Sequence, residues 1–197
     1  MENNDLCQIG LLGIVICVVF LSGCITSPDV NQNSQDLDQI FSQNGLTFNY
    51  PNGWFNVTND SVKANGYSPY VMGVFNSPNN VNLQVSQHNL SSSANITIEG
   101  LKDSTLEGIK NNTNNSAKLI SDSKTTINGN VIYEINYTEK NLGFFLFIIP
   151  FVDEYKSLLV ITGKDRQVYV MHFHAQTSTF DKNREIIDKI VGTIKIQ

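Results

Sequence analysis

Cysteine is scarce in this chain of 197 residues, and all of it lies near the N-terminus. The three cysteines are Cys7, Cys17 and Cys24. If residues 1–23 are removed and Cys24 is modified, no thiol remains for a disulfide, a metal site or a nucleophile. Charge is scarce too, because charged residues make up 16% of the chain and the net charge is −5. Nucleic-acid binding needs a basic surface that contacts phosphates, so this composition argues against that class of protein.

Recognisable catalytic patterns are also missing from the sequence. It contains no G-x-S-x-G, H-E-x-x-H or phosphate-binding-loop pattern. Two groups of carboxylates have a spacing that would allow proton exchange, namely Asp153–Glu154 and Asp181–Glu185–Asp188. We interpret the first group as exposed loop residues and the second as part of a solvated helix face that also carries basic residues. The sequence therefore predicts no enzymatic activity and no cofactor.

The N-terminus carries one short apolar run, residues 9–21. As a helix, this run would be roughly 20 Å long at about 1.5 Å per residue, whereas a bilayer core is about 30 Å thick. Such a length is typical of the apolar core of a signal peptide. The residues before the run depart from the usual pattern, because they include Glu2 and Asp5 and no Lys or Arg.

The apolar run ends in Leu21-Ser22-Gly23-Cys24, which resembles a lipobox, the processing signal of surface lipoproteins. The resemblance implies that residues 1–23 are a signal peptide and that Cys24 carries a lipid such as palmitate. Because each buried CH₂ contributes about 0.8 kcal/mol, two long chains would hold the protein on a membrane almost permanently. We therefore expect a lipid-anchored protein on the extracytoplasmic face of the cell membrane. A buried N-terminal helix with an unrelated cysteine is the alternative.

Residues 24–44 are polar and predict a flexible tether, although the helical spacing of Leu37, Ile40 and Phe41 suggests a short helix at its end. From residue 45 onward, apolar residues alternate with polar ones between turn signals, as in strands. The predicted strands are residues 46–50, 54–57, 70–75, 81–88, 131–138, 144–149, 157–162 and 167–175. Residues 98–110 and 180–191 have helical spacing, with Ser178 or Thr179 as the N-cap of the second helix.

The fold class follows from these segments. Hairpin-length connections give an antiparallel sheet, so residues 45–197 are predicted to form one α+β domain of about six to eight strands flanked by helices. Four Asn-Gly pairs lie between segments, where a positive φ is needed, and residues 150–156 connect two of the strands.

Three segments resemble PsbP-like domains. The first is Gly45-Leu46-Thr47-Phe48-Asn49-Tyr50-Pro51-Asn52-Gly53-Trp54, the second is residues 128–134, and the third is residues 167–173 followed by 180–196. With the lipobox in front, the chain resembles PsbP-related surface lipoproteins of the archaeal type. The resemblance implies an antiparallel sheet sandwiched by helices in an α/β/α arrangement. The plant namesake is a non-enzymatic accessory subunit of photosystem II, and no ligand residue is carried over from it.

Two further groups of residues are candidate sites. His172 and His174 are two residues apart on a predicted strand, so both imidazoles leave the same face. They could share a metal with His88 or with a carboxylate, but no third ligand lies at a defined spacing, and we interpret them as ordinary strand-face histidines. Seven N-x-S/T sequons are possible glycosylation sites in an exported chain: Asn56, Asn59, Asn89, Asn95, Asn111, Asn114 and Asn136.

Apolar residues continue past Pro150 in the sequence LGFFLFIIPFV, residues 142–152. One interpretation is a central strand that ends at Pro150. The alternative hypothesis is that Phe151 and Val152 form an exposed hairpin tip that contacts lipid or a partner.

Together these observations favour a lipid-anchored, non-catalytic surface domain that binds or stabilises a membrane-associated partner or a small ligand. One alternative is a structural glycoprotein of the cell envelope. Another is a hydrolase or metal-dependent enzyme without a recognisable motif.

We predict that Cys24→Ser removes the lipid, because serine has no thiol to alkylate. In the wild type, the intact mass should correspond to a chain that begins at Cys24 and carries lipid, and the protein should fractionate with membranes. The variant should lack the lipid mass and shift to the soluble fraction. A wild-type chain that still begins at Met1, or a bare thiol at position 24, would contradict the anchor.

The unlipidated variant also tests the hairpin tip. Residual binding of Cys24→Ser to liposomes, or to a captured partner, should fall when Phe151→Ser and Val152→Ser are added. Unchanged binding would rule out a contact made by this tip.

Overall fold

The computed structural model describes residues 36–58, 70–90, 97–111, 116–145 and 149–197, which belong to one compact unit, Gln35–Gln197. The strands within these residues are β1 (Gln39–Gln43), β2 (Leu46–Tyr50), β3 (Phe55–Thr58), β4 (Val71–Asn76), β5 (Asn82–Asn89), β6 (Ala117–Ile127), β7 (Asn130–Phe145), β8 (Ile149–Lys164), β9 (Gln167–Gln176) and β10 (Lys195–Ile196). The helices are α1 (Ile98–Lys110), α2 (Thr177–Lys182) and α3 (Arg184–Gly192).

The strands form two antiparallel sheets. The larger one has seven strands in the order β3-β4-β5-β9-β8-β7-β6, and the smaller one has the order β1-β2-β10. This arrangement confirms the predicted α+β class and the antiparallel sheet. Strand β9 lies in the middle of the large sheet and pairs with β5 on one side and β8 on the other.

Period-two alternation in β9 divides the large sheet into an inner and an outer face. Tyr169, Met171 and Phe173 are fully buried in the inner core, where they pack with side chains of the small sheet, α2 and α3. Val168 immediately precedes Tyr169 and therefore points to the outer face, where it is buried in a second cluster with side chains of α1. Both faces of the sheet therefore bury apolar surface, with the small sheet and two helices on the inner face and α1 on the outer face.

A group of four aromatic rings joins the two sheets within the inner core. Phe75 of β4 packs against three rings of the small sheet, with centroids 5.4 Å from Phe41, 5.5 Å from Phe48 and 4.9 Å from Tyr50. All three contacts are edge-to-face, the geometry that aromatic quadrupoles favour. The small sheet is thus held to the large one by side-chain packing.

Two of the four Asn-Gly pairs form hairpin turns. In Asn52-Gly53 only the glycine has a positive φ, and residues 65–66 lie outside the described residues. Asn44 and Gly45 have φ values of 49° and 85° between β1 and β2, and Asn128 and Gly129 have 51° and 80° between β6 and β7. Positive φ at both central residues defines the type I′ turn, whose twist suits a hairpin.

The prediction of a short helix around Leu37, Ile40 and Phe41 is wrong, because residues 39–43 form strand β1. Phe41 is 5% exposed whereas Ile40 is 66% exposed, which is the alternation of a strand and not of a helix. The C-terminal end of the segment that we assigned to the tether therefore belongs to the small sheet.

The predicted boundaries around Pro150 are also wrong. Residues 150–156, expected to form a connection, belong to β8, so Asp153 and Glu154 are strand residues. Beyond the last register pairs of β6 and β9, the β7–β8 pairing continues from Lys140↔Glu154 to Phe145↔Ile149. Six pairs of this hairpin therefore project as a two-stranded ribbon, about 20 Å long at roughly 3.4 Å per residue.

The helix predicted over residues 180–191 is two helices, α2 and α3, separated at Asn183. The amide of Asn183 turns back to donate to the Thr179 carbonyl at 2.8 Å, and its backbone N–H caps α2. Neither Ser178 nor Thr179 is the N-cap, because α2 begins at Thr177 after Gln176. Helix α1 has the predicted bounds, and Thr97 caps it by accepting from the Gly100 N–H at 3.0 Å.

We predict that Phe75→Ala lowers the free energy of unfolding by about 3–5 kcal/mol, because it removes a fully buried ring from the contact between the sheets. The matched control is Phe55→Ala, since Phe55 is 67% exposed and its loss should change stability by less than about 0.5 kcal/mol. Urea denaturation of both variants measures the difference. Similar losses for the two variants would contradict the assigned core.

Candidate functional site

The outer face of the large sheet is only partly covered. Helix α1 has 13 residues and is about 20 Å long. In the described residues, α1 packs over β6, β7 and β8 at one end of this face. The rest of the outer face, along β8 and β9, carries half-buried side chains that solvent can reach.

An apolar cavity lies where α1 meets the sheet. Its volume is about 390 Å³. Its lining consists of aliphatic side chains with two polar residues, and comprises His88, Leu90, Leu101, Thr105, Leu159, Ile161 and Val170. The Thr105 hydroxyl donates to the Leu101 carbonyl at 2.9 Å within α1. Small-molecule sites are commonly concave and apolar with a few polar groups, which is the character of this cavity.

A polar cluster adjoins the cavity along the same strands. His172 and His174 lie two and four residues beyond Val170 on the outer face of β9, and their rings are 5.7 Å apart. The hydroxyl of Tyr137 lies 3.3 Å from Nε2 of His172, and the hydroxyl of Ser157 lies 2.9 Å from Nδ1 of His174. This confirms that both imidazoles leave one face, as the spacing predicted.

Glu139 of β7 completes the cluster, and we missed it in the sequence. One ligand atom from each of Glu139, His172 and His174 lies within 4.8 Å of the other two. The alternation of Tyr133, Ile135 and Tyr137 would have placed Glu139 on the same face if it had been extended by one step. Its proximity to β9 depends on the register across β8, which the sequence does not reveal.

His88 does not join this cluster. It pairs with Val168 in the β5–β9 register, whereas Gln84 is the residue opposite His172. Its Nε2 lies 3.2 Å from the Ser86 hydroxyl, and its ring stacks on Tyr70 at 5.1 Å. The sequence left either His88 or a carboxylate as the third ligand. The structure places a carboxylate, that of Glu139, beside the histidine pair.

Burial controls the charge state of the cluster. It lowers the pKa of His172 to about 4, and the neighbouring His174 lowers it further in the same direction. Burial also raises the pKa of Tyr137 to about 12, and the Glu139 carboxylate contributes to that increase. At neutral pH, His172 is thus an uncharged imidazole beside an uncharged phenol, and its hydrogen bond joins two neutral groups.

The acidic residues considered for acid–base chemistry lie in surface ion pairs. Asp181 is 2.6 Å from Lys156, and Asp188 and Glu185 pair with basic residues one turn away on α3. This agrees with their interpretation as a solvated helix face. Asp153 and Glu154 lie in β8 instead of the loop we expected.

The sequons differ in accessibility. Asn89 and Asn111 are exposed, and Asn56 is half-buried. Asn136 is buried, its amide nitrogen donates to Ser121 at 3.2 Å and its oxygen accepts from Arg184 at 2.7 Å, so a glycan there would require the folded sheet to open. Asn59, Asn95 and Asn114 lie outside the described residues, as does Cys24. Within the described residues, none of the helices has the length and apolarity needed to cross a bilayer.

The family of the chain follows from its whole folded region. The sequence pattern of the PsbP family matches residues 39–196. The chain belongs to the PsbP family. PsbP-like domains are generally non-catalytic. None of the curated proteins matches this PsbP-family chain.

Solved structures share the PsbP-like fold at low sequence identity. The cyanobacterial PsbP (CyanoP) from Synechocystis sp. PCC 6803 is 19% identical, with a TM-score of 0.56 over 81% of this chain and 92% of that one. LpqN from Mycobacterium tuberculosis, described as involved in cell envelope biogenesis, is 12% identical, with a TM-score of 0.52 over 81% of this chain and 90% of that one. These similarities show the fold.

We predict that His172 makes stability depend on pH between about 7 and 4. Because its folded pKa is lower than its unfolded value, the unfolded chain binds more protons as pH falls, and stability is lost. His172→Gln should remove this contribution, which is about 3 kcal/mol at pH 4. Urea unfolding at several pH values, in buffer with a chelator, measures the difference between wild type and variant. Parallel stability profiles for the two proteins would contradict the assigned burial.

Proposed function

We propose that this protein is a lipid-anchored, extracytoplasmic and non-catalytic domain that binds a small, mainly apolar ligand at the outer face of its sheet. It would be a PsbP-related surface lipoprotein of the archaeal type, as the lipobox in front of a PsbP domain suggests. The observation that carries the proposal is the 390 Å³ apolar cavity between α1 and the sheet.

The chemistry of the cavity supports binding in preference to catalysis. Leu101 and Leu159 supply aliphatic surface from the helix and the sheet, and Thr105 and His88 supply the polar groups of the lining. Burial of apolar ligand surface contributes roughly 25 cal/mol per Å², so a lining of this kind favours a compact apolar molecule. Both polar side chains already have hydrogen-bond partners within the protein, Thr105 at the Leu101 carbonyl and His88 at the Ser86 hydroxyl.

The proposed anchor gives the cavity a membrane context. Lipid on Cys24 would keep the domain within the reach of the chain that links residue 24 to β1. Fourteen such residues span about 20 Å root-mean-square as a flexible coil. A domain held at this distance meets molecules of the membrane surface at high local concentration. A membrane-associated partner could then be contacted by the β7–β8 ribbon, where Val152 is 59% exposed.

A structural envelope glycoprotein is the second candidate function. The exposure of Asn89 and Asn111 favours it, because both sequons could accept glycans without disturbing the fold. Intact mass measurement of the membrane-extracted protein separates the two candidates. Glycans on most sequons would favour the envelope role, whereas an unglycosylated chain would leave the ligand-binding role.

We predict that Val170→Phe blocks the cavity. The added ring should occupy ligand space and weaken binding of anilinonaphthalene sulfonate, a dye with apolar rings and one sulfonate, on the order of tenfold, as measured by fluorescence titration of the chain lacking residues 1–34. Val131→Phe is the matched control, since Val131 is 40% exposed and lies outside the cavity lining.

Stability provides the second measurement for this pair. If the cavity exists, Val170→Phe should unfold at a urea concentration close to that of the wild type, because the ring has room. A loss of about 1–3 kcal/mol would indicate overpacking of a closed site. That loss, or equal dye affinity in Val170→Phe and Val131→Phe, would contradict ligand binding at this cavity.

A further inference from the structure

We propose that Glu139, His172 and His174 form a binding site for a divalent transition-metal ion of the zinc type on the outer face of the sheet. The site lies beside the apolar cavity and does not depend on the function proposed for that cavity. The strand register, the separation of the ligand atoms and the chemistry of the donors support this site.

The register brings the three side chains to one place. Strand β9 presents His172 and His174 from the same face, because they are two residues apart. Tyr137 is opposite Ser157, which is opposite His174, so β7 is two strands away from the histidines. Glu139 follows Tyr137 on the same face of β7. It approaches the histidines across β8, and the ligand atoms of the three residues lie within 4.8 Å of one another.

Two side chains of β8 lie on this face between β7 and the histidines. Ser157, between Tyr137 and His174, is small and fully buried. Tyr155, the register partner of Glu139, stacks its ring on His174 with the centroids 4.8 Å apart. The three ligand atoms are at most 4.8 Å apart, so an ion placed between them would be at most about 2.8 Å from each, whereas zinc–nitrogen bonds are about 2.0–2.1 Å long. Each ligand atom would therefore have to move inward by no more than roughly 0.7 Å.

The donors form a set that suits zinc. Two imidazoles and one carboxylate leave a fourth position open for water or a ligand, as in other three-ligand zinc sites. Each histidine has two ring nitrogens, and only one of them lies near a hydroxyl, of Tyr137 for His172 and of Ser157 for His174. Hydrogen bonds of this kind orient metal-binding imidazoles from the outer shell.

The charge balance also favours a cation. Glu139 is half-buried, and none of the ion pairs within the described ranges includes it. Its carboxylate lies beside the two imidazoles and shares a hydrogen bond with Tyr137, and no Lys or Arg of the described part of the chain forms an ion pair with it. A divalent ion would supply the positive charge that this group of side chains lacks.

The test uses the purified full chain after treatment with a chelator. Zn²⁺ alone is titrated by calorimetry into the wild type and into His174→Gln, Glu139→Gln and His88→Gln. His88→Gln is the matched control for His174→Gln, because it makes the same substitution at a histidine outside the cluster. All four proteins have the same N-terminal segment with its cysteines, so differences between them report on the sheet.

We expect His174→Gln and Glu139→Gln each to weaken Zn²⁺ binding about tenfold or more, and His88→Gln to have no effect. Addition of Co²⁺ to the wild type should give visible absorption bands typical of a tetrahedral site, and both cluster variants should lose them. Circular dichroism in chelator controls for folding. Unchanged Zn²⁺ affinity in the cluster variants, or an equal loss in His88→Gln, would overturn the proposal and leave the cluster as a hydrogen-bonded network only.

Discussion

The side chains of the central strand β9 alternate between two environments, the closed inner core and the outer face of the sheet. Tyr169, Met171 and Phe173 point into the closed inner core, and the period-two geometry of a strand then fixes the residues between them on the outer face. His172 and His174 occupy that outer face because a shift of one residue would exchange every side chain between the two environments. The burial of the inner residues therefore determines the position of the site.

The two faces differ in how completely they are covered. The small sheet, α2 and α3 close the inner face, where aromatic packing such as that of Phe75 contributes stability. A single helix of 13 residues packs on the outer face within the described part of the chain, and its edge leaves the apolar cavity and the histidine cluster accessible. Both faces bury apolar side chains, and the ligand binding and metal binding that we propose lie on the face that is less completely covered.

Sequence patterns predicted the elements whose side chains alternate between core and solvent. Strand β2, most of β5 and helix α1 were confirmed because apolar residues mark their buried sides. Strand β6 was missed, since it is an edge strand with mostly exposed side chains and therefore no apolar period. Strand β1 was mistaken for a helix because Ile40 and Phe41 are adjacent apolar residues, of which only Phe41 is buried.

The candidate site was predicted only in part, for a different reason. The i, i+2 spacing of His172 and His174 is local, so it predicts directly that both side chains lie on the same face of the strand. Glu139 approaches them through the pairing of β7, β8 and β9, and no local pattern encodes that register. The cavity depends on where α1 crosses the sheet, which is likewise a property of the tertiary fold.

The claim that binding belongs to the outer face is tested most directly by chemical-shift mapping. The ¹⁵N-labelled chain lacking residues 1–34 would be titrated with anilinonaphthalene sulfonate and followed by ¹H–¹⁵N spectra. We expect shifts for residues around the cavity, such as Thr105, Leu159 and Val170. The indole signal of Trp54, the single tryptophan and a member of the inner core, should not move. Shifts centred on Trp54 and the inner core, with none along α1 and β9, would contradict it.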